Sequence, residues 1–542
     1  MLNLVHTALK IFSPEDSSQK LKIIRYCKTL KLPWKIQLSR KVLTGCIVSV
    51  DIGTTNVKAV AFDLEGRQVF KSSVRCRVYT PSEGWAEQKP DEVLGSVFEA
   101  IKTCVKNVKN EVEALTFSSQ LYSVVFIDRD GDCLSPVVNW MDSRSIVEAF
   151  DLSRAIGAYE LYRRTGCHIS PIMPASKILW FRKNNPKMFN RVHKVLSIKD
   201  YVLYKLLNLY VTDNILASAT ALFNIRKSQW DHEILEAVGL NIEKLPEVVK
   251  AESIVGYIKG RYAEEIGLSK GVPVICGGGD GMLQNIGLGV LKEGVAALNI
   301  GTSGAIRVSS NRIVLDKSRS ARFFCHSLAE GLWCIGGAMN SAGLSFEWFA
   351  ENFLNGDLNL IEFEASKAKP GANGLIFLPY LLGERAPLWC STAKAVFYGL
   401  TLKHKLPDFS RAVLEGVVFA LNHIKRILEK YVPPMREIRV GGGGAKINLL
   451  NQIQADVFQT PVFLTSTEES SALGAAILAA KTLGYYGSLS DACNSIVKLN
   501  RVFNPIPENS FEYSKLFEKY RMISDHLYRY FFLNPAKDIC DC

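Results

Sequence analysis

Nothing in the chain approaches the run of about eighteen apolar residues that a membrane-spanning helix needs. Its first residues also lack the apolar stretch of a secretion signal. The thirteen cysteines form no C-x-x-C pair and have no histidines at metal-ligand spacing, and Cys540 and Cys542 stand too isolated to be read as a metal site. An odd, scattered set points to a reducing compartment in which cysteine serves as a small apolar residue, so the expected location is the cytoplasm. A basic stripe with interleaved aromatics is missing as well. Of the net charge of +12, residues 1–44 hold +7 (nine Lys/Arg against two acids), and the remaining +5 is spread thinly. That distribution argues against nucleic acid and for a site that takes a small anionic ligand.

What remains is a globular composition, 48% hydrophobic and 22% charged with 39 glycines, over 542 residues. Such a length calls for two or three domains. Ile47 to Asp63 reads as a tight hairpin, with apolar β-formers on each side of Gly53-Thr54-Thr55-Asn56 and Asp51 as the last side chain before the turn. A tip of this kind can gather backbone N–H groups and hydroxyls around a phosphate, although an ordinary core hairpin would look the same. A third strand is expected near Arg67 to Tyr79, then a helix over Pro90 to Lys106 and a buried strand over Ala114 to Phe117. Another strand follows at Val124 to Asp128, and a helix begins at Ile146. Residues 150–250 read as mainly helical, broken by Pro171, Pro174 and Pro186.

The hairpin has a copy. Asp51-Ile52-Gly53-Thr54-Thr55 matches Asn299-Ile300-Gly301-Thr302-Ser303, 248 residues later, again between apolar strands. A second pair follows in the same order. Val274 to Gly279 resembles Ile438 to Gly443, each a strand running into glycines before a helix. Self-similarity of this kind points to a duplicated unit and to two phosphate-gripping hairpins facing one cleft.

At this level the chain resembles the FGGY carbohydrate kinases of the actin-like ATPase superfamily, over residues 46–525. The most specific match is Ala395-x-Phe397-x-Gly399-Leu400, seven residues, then Asp408-Phe409-x-x-Ala412-Val413-Leu414-Glu415. That run matches the family's second signature, and Pro174-x-x-Lys177-Ile178-x-Trp180-Phe181 represents the first, from which Ile172 departs. The resemblance implies an α/β protein of two duplicated ribonuclease-H-like domains, 45–294 and 295–525, with substrates in the cleft between them. A basic extension of no identified motif (1–44) and a tail (526–542) flank them. It also implies ATP and Mg²⁺ as cofactors, a small sugar or sugar acid as partner, and domain closure that excludes water. A homodimer is left open; neither nucleic acid nor a membrane is expected.

Phosphoryl transfer needs a base at the acceptor hydroxyl, a metal, and donors around the phosphates. Asp280, at the end of a buried strand with a triple glycine, matches the family's base, and the glycines are expected to let substrate approach the backbone. Helix capping is its other use. By the same resemblance Asp51 would orient Mg²⁺ through water. Thr54, Thr55 and Asn56 would bond the phosphates with Lys58 adding charge, unless Lys58 is only a solvated strand residue. Gly301 and Thr302 would hold the phosphates from the opposite domain. Gly343, Gly442, Gly443 and Asn448 match nucleotide-contacting positions. Gln120, Leu121 and Tyr122, with Trp140, Asp142 and Arg144, match two sugar loops.

Xylulose kinases of the family carry Gln-Met-His-Gly in the first loop, where this chain has Tyr122 and Ser123. Glycerol kinases carry Gln after the base, where this chain has Gly281. The run Asp280-Gly-x-Leu-x-Asn-x-Gly287 and Tyr380 to Trp389 are similar to gluconate kinases. The expectation is therefore D-gluconate to 6-phosphogluconate, with xylulose or another pentulose or polyol as the alternative. An actin-like ATP switch without transferase activity is disfavoured by the base and the two sugar loops. Arg144 is a candidate for the carboxylate of gluconate, with a surface ion pair as its other use. Arg385 is assigned to holding the Glu384 loop.

Overall fold

The computed structural model describes residues 45–533 apart from Asn110, with side chains through Tyr530. The expected basic extension at 1–44 lies outside the described residues. The closing helix, Pro507–Leu533, runs across the expected boundary at 525.

Strands β1 (Gly45–Ile52), β2 (Asn56–Asp63), β3 (Gln68–Arg75), β4 (Glu111–Ser119), β5 (Ile254–Tyr257) and β6 (Pro273–Gly279) form one sheet in the order β5-β6-β4-β1-β2-β3. Strands β7 (Val295–Ile300), β8 (Gly304–Ser310), β9 (Phe324–Ser327), β10 (Trp333–Met339), β11 (Glu437–Gly441), β12 (Val462–Thr465) and β13 (Leu499–Phe503) form a second, in the order β9-β10-β8-β7-β11-β12-β13. β1 is buried on both faces, which is why Cys46 to Val50 is apolar almost without alternation. On one face lies helix α1 (Pro90–Asn107). Proline occupies its first turn, followed by Asp91 and Glu92, and its buried residues Val93, Val97, Ala100, Ile101 and Cys104 recur at helical spacing. Buried thiols such as Cys104 and Cys276 fill core positions, and burial pushes each up to about 12.

The duplication is real in topology. In each lobe an antiparallel hairpin (β1–β2, β7–β8) borders a parallel strand (β4, β11), which borders a second parallel strand (β6, β12). The second sequence match is corrected by this order. β11 lies beside β7 as β4 lies beside β1, so the counterpart of the glycine-ended β11 is β4, and that of β6 is β12. The likeness of Val274–Gly279 to Ile438–Gly443 therefore joins strands in different places.

Three further helices position the cleft. α2 (Asp280–Gly287) follows β6, α3 (Gly343–Phe353) follows β10, and α4 (Ser470–Thr482) follows β12. α2 and α4 cross at glycine. A Cβ on Gly287 would stand 1.8 Å from the Ser470 carbonyl oxygen, and one on Gly474 1.8 Å from that of Leu283. No side chain fits there, so the two lobes meet backbone to backbone. Residues 150–250 hold the expected helices, but also strand pairs of two or three residues, such as Phe223–Asn224 with Gln229–Trp230. These are too short to show a period of two. Among the described residues no helix is long and apolar enough to cross a membrane.

Candidate functional site

A cavity of about 260 Å³ lies between the lobes. Asp51, Gln120, Tyr122, Trp140 and Asp280 line it from the first lobe; Asn299, Ser303, Arg307, Arg385 and Gly442 line it from the second.

Asp280 is the first residue of α2, and Gly279, not Asp280, is the N-cap. Its Oδ1 accepts the Gly281 N–H at 2.7 Å. Burial, and then the negative charge of Asp51, push its carboxyl up to about 7, against opposition from that N–H and from Arg307. The preceding glycines serve packing rather than open space. A Cβ on Gly277, whose φ is +69°, would stand 1.8 Å from the Phe117 carbonyl oxygen, and one on Gly279 2.4 Å from Leu121 Cδ2. They let β6 close on β4 and on the Gln120–Tyr122 loop.

Asp51, next to last in β1, lies between Lys58 on β2 and Ser118 on β4. The Ser118 hydroxyl donates to its Oδ1 at 2.7 Å. Burial raises its pKa; Ser118 and Lys58 oppose that, and Glu469 adds to it. Among the described residues no cluster of three acids, histidines or cysteines is arranged for a metal. One cleft carboxylate with its second oxygen uncommitted nonetheless fits Mg²⁺, which keeps most of its waters and takes phosphate oxygens.

The first hairpin is tied more closely to the sugar loops than its sequence shows. Thr54 Oγ1 donates to Gln120 Oε1 and accepts from Trp140 Nε1, both at 2.9 Å. Gln88 Nε2 donates to the Thr54 carbonyl at 3.0 Å, and Gln120 Nε2 to Gln88 Oε1 at 2.8 Å. The Thr54 hydroxyl is thus not a free phosphate donor, as expected of it, but a bridge between the hairpin and both sugar loops. Lys58 is half-buried rather than a free solvated strand residue: it pairs with Glu469 of the second lobe at 2.8 Å, and Lys71 pairs with the same carboxylate at 3.1 Å. Thr55 is exposed at the tip and Asn56 half-buried beside it.

The second hairpin is braced by α3. Gly343 N donates to the Gly301 carbonyl at 2.8 Å, and Ala342 and Leu344 donate to that of Thr302 at 3.1 Å. A Cβ on Gly343 would stand 2.5 Å from the Gly301 oxygen, so this glycine holds the hairpin. Thr302 is exposed. Gly442, with φ +85°, packs against Asn299, whereas nothing lies within 4 Å of a Cβ on Gly443. That bare backbone suits a planar ligand. Asn448 is exposed, and its side-chain oxygen accepts from Arg501 at 2.7 Å.

In the second sugar loop the structure corrects two expectations. Asp142 is fully buried, accepts the Ala86 N–H at 2.7 Å, and is held by the Arg144 guanidinium through both oxygens. The Arg144 side chain is 2% exposed, donates to Glu87 at 2.6 Å as well, and lies 3.7 Å above the Trp85 ring. It forms neither a surface ion pair nor an arm for a substrate carboxylate. Asp142 and Arg144 shape the loop from behind, and neither lines the cavity. Trp140 does.

Lys177, Gln88, Glu469 and Arg307 were assigned no role from sequence. Buried Lys177 donates to the carbonyls of Tyr122 and Asn139, each at 2.7 Å, joining the two sugar loops. Burial pushes its amine down to about 7. Tyr122 has φ 64°, a strained backbone for a tyrosine that this lysine holds in place. The N-cap position of Glu469 before Ser470-Ser471-Ala472 was the signal available for that residue.

The FGGY family of carbohydrate kinases matches twice: its N-terminal domain at residues 46–287 and its C-terminal domain at residues 296–483. The gluconokinase of Bacillus subtilis (strain 168) is 33% identical over 487 residues, 88% of this chain and 94% of that protein. The xylulose kinase of Lactococcus lactis subsp. lactis (strain IL1403) is 30% identical over 489 residues, 88% of this chain and 96% of that protein. A crystal structure of gluconate kinase from Lactobacillus acidophilus superposes with a TM-score of 0.85 at 31% identity, over 89% of this chain and 98% of that one.

Proposed function

The chain belongs to the FGGY family of carbohydrate kinases, and from that premise we propose that it transfers the γ-phosphoryl group of ATP to a hydroxyl of D-gluconate. The observation that carries the reading is Asp280. It stands in the interlobe cavity beside the sugar loops, with its carboxyl at about 7. A base poised near the working pH combines the ionised form with useful proton affinity. Asp280 would take the proton of the attacking hydroxyl, while Trp140, Gln120 and Tyr122 orient the acceptor. The phosphates would lie along the hairpin tips at Thr54 to Asn56 and Gly301 to Thr302, with the nucleoside over Gly442 and Gly443 near Asn448. Mg²⁺ at Asp51, when bound, supplies charge neutralisation of the phosphates. Lys58 reaches them once Glu469 releases it. A cytosolic location belongs to the same proposal, supported by core thiols used as apolar side chains.

Gluconate is favoured by the similarity to gluconokinases and by the two guanidinium groups, Arg307 and Arg385, in the cavity wall. Phosphorylation of xylulose is the second reading, favoured by relatives at 30% identity. ADP release measured with D-gluconate, D-xylulose, glycerol and no acceptor decides between them. Stimulation by gluconate above all others is expected. Stimulation by xylulose instead transfers the assignment to the second reading, and ADP release indifferent to every acceptor removes both.

A further inference from the structure

We propose that Arg307 and Arg385 form the subsite that binds the acceptor's carboxylate, an inference that rests on the acceptor being a sugar acid. Arg307 rises from β8, a strand buried throughout, and is 6% exposed. Its Nη2 donates to Gln284 Oε1 and its Nε to Asn285 Oδ1 at 3.3 Å. Both partners are neutral amides. Among the described residues its Nη1 makes no hydrogen bond, and a Cβ on Gly281, next to Asp280, would crowd it at 3.3 Å.

Arg385 lines the same cavity. Its guanidinium donates to the Met339 carbonyl at 2.9 Å and stands 5.7 Å from the Trp140 ring centroid, while its Nε is buried with no partner. The expected role of steadying Glu384 falls to its backbone N–H, which donates to Glu384 Oε1 at 2.7 Å.

Among the described residues neither guanidinium has a carboxylate within the 4.0 Å of an ion pair. The nearest acids compensate them poorly, because burial pushes Glu384, like Asp280, up to about 7. Two buried cations without counter-ions are costly in an empty site and are repaid by an anion that accepts from both. Both arginines line the cavity together with Tyr122, Trp140 and Asp280. Lys58, the cation of the first hairpin, is already paired with Glu469. Of the two oxyanions that could sit here, the acceptor's carboxylate and the transferred phosphoryl group, this placement favours the carboxylate.

The test uses the full chain, wild type and the variants Arg307→Met, Arg307→Lys and Arg385→Met. Calorimetry compares D-gluconate with D-glucitol, a neutral polyol of equal length, and kinetics follow gluconate and ATP separately. Arg307→Met and Arg385→Met are each expected to weaken gluconate binding roughly 100-fold, chiefly in the acceptor KM, and to collapse the preference for gluconate over glucitol. Arg307→Lys should restore part of that preference, which a merely structural role would not produce. Equal weakening of gluconate and glucitol, or a loss confined to kcat and the ATP KM, assigns the arginines to scaffold or phosphoryl group and overturns the proposal. Should Arg307→Met fail to fold, Arg307→Lys and Arg385→Met decide. A wild type that binds xylulose and not gluconate sinks the functional reading instead, a result separate from any variant.

Discussion

Asp280→Asn separates catalysis from folding because one physical cause drives both effects. The carboxyl is held at about 7 against an ordinary value of 3.8. Each pKa unit is worth about 1.4 kcal/mol, so ionising it in place costs about 4 kcal/mol at most, less wherever water in the cleft solvates it. The sign follows from linkage. In the unfolded chain the group ionises near pH 4, and in the folded protein near pH 7. Stability is therefore drained as pH rises from about 4 to about 7 and stays level above that. Asparagine has nearly the same shape and no proton to lose. Its stability relative to wild type is expected to grow across that window and to plateau above pH 7, while the two proteins melt alike near pH 4. Turnover moves the opposite way. Loss of a general base removes roughly 10²- to 10⁴-fold of rate, and wild-type kcat/KM should fall about tenfold per pH unit below 7. ATP affinity should hold within about twofold, because the phosphate hairpins do not contain this residue. Melting curves from pH 4 to pH 9, ADP release and nucleotide titration give the three readouts. Near-normal turnover in the variant removes Asp280 from the base's role. A stability difference independent of pH contradicts the raised carboxyl.

Lys177→Met leaves the carbonyls of Tyr122 and Asn139 without their shared donor, at roughly 1–3 kcal/mol for each buried group. The acceptor KM should rise about tenfold or more with the ATP KM nearly constant, and a parallel rise in both would reduce Lys177 to general scaffold. Gly474→Ala drives a methyl group into the Leu283 carbonyl, an overpacking of about 3 kcal/mol. The melting temperature should drop by several degrees, as for Gly287→Ala. The double variant should lose less than the two losses combined, since one separation of the two helices accommodates both methyl groups; strict additivity would show that the two clashes are relieved independently.

The hairpin, its copy and the strand before Asp280 were legible because each is written locally, as apolar runs around a tip of small polar residues. Strand order is not local. Val274–Gly279 and Ile438–Gly443 share a sequence pattern for different reasons. Gly277 and Gly279 are bare because β4 and Leu121 press on them, whereas Gly442 lies against Asn299 and Gly443 has open space where a side chain would stand. The same residue type answers two demands, close packing and ligand access, and only neighbours distant in sequence tell them apart. Thr54 shows the limit at a single side chain: its position in the hairpin was readable, while its bonds to Gln120 and Trp140 come from residues 66 and 86 positions away.

The arginines carry the point furthest. Arg144 attracted the carboxylate role because it follows Trp140 and Asp142, yet that adjacency is what disqualifies it. Asp142 already fills its fork, and Trp85 and Glu87 complete its surroundings. Arg307 attracted no role because it lies inside Gly304-Ala-Ile-Arg-Val-Ser-Ser310, which reads as core. That setting was itself the signal. A guanidinium in a strand buried on both faces has little contact with water, and its own strand offers no acid. It must be neutralised across the fold or by something that enters the fold. The structure pairs it with the amides of Gln284 and Asn285 and leaves Nη1 without a hydrogen bond among the described residues, so the remaining partner is the ligand. In a cleft built for phosphoryl transfer, the arginine that already has its counter-ion shapes the site, and the one without it selects the substrate.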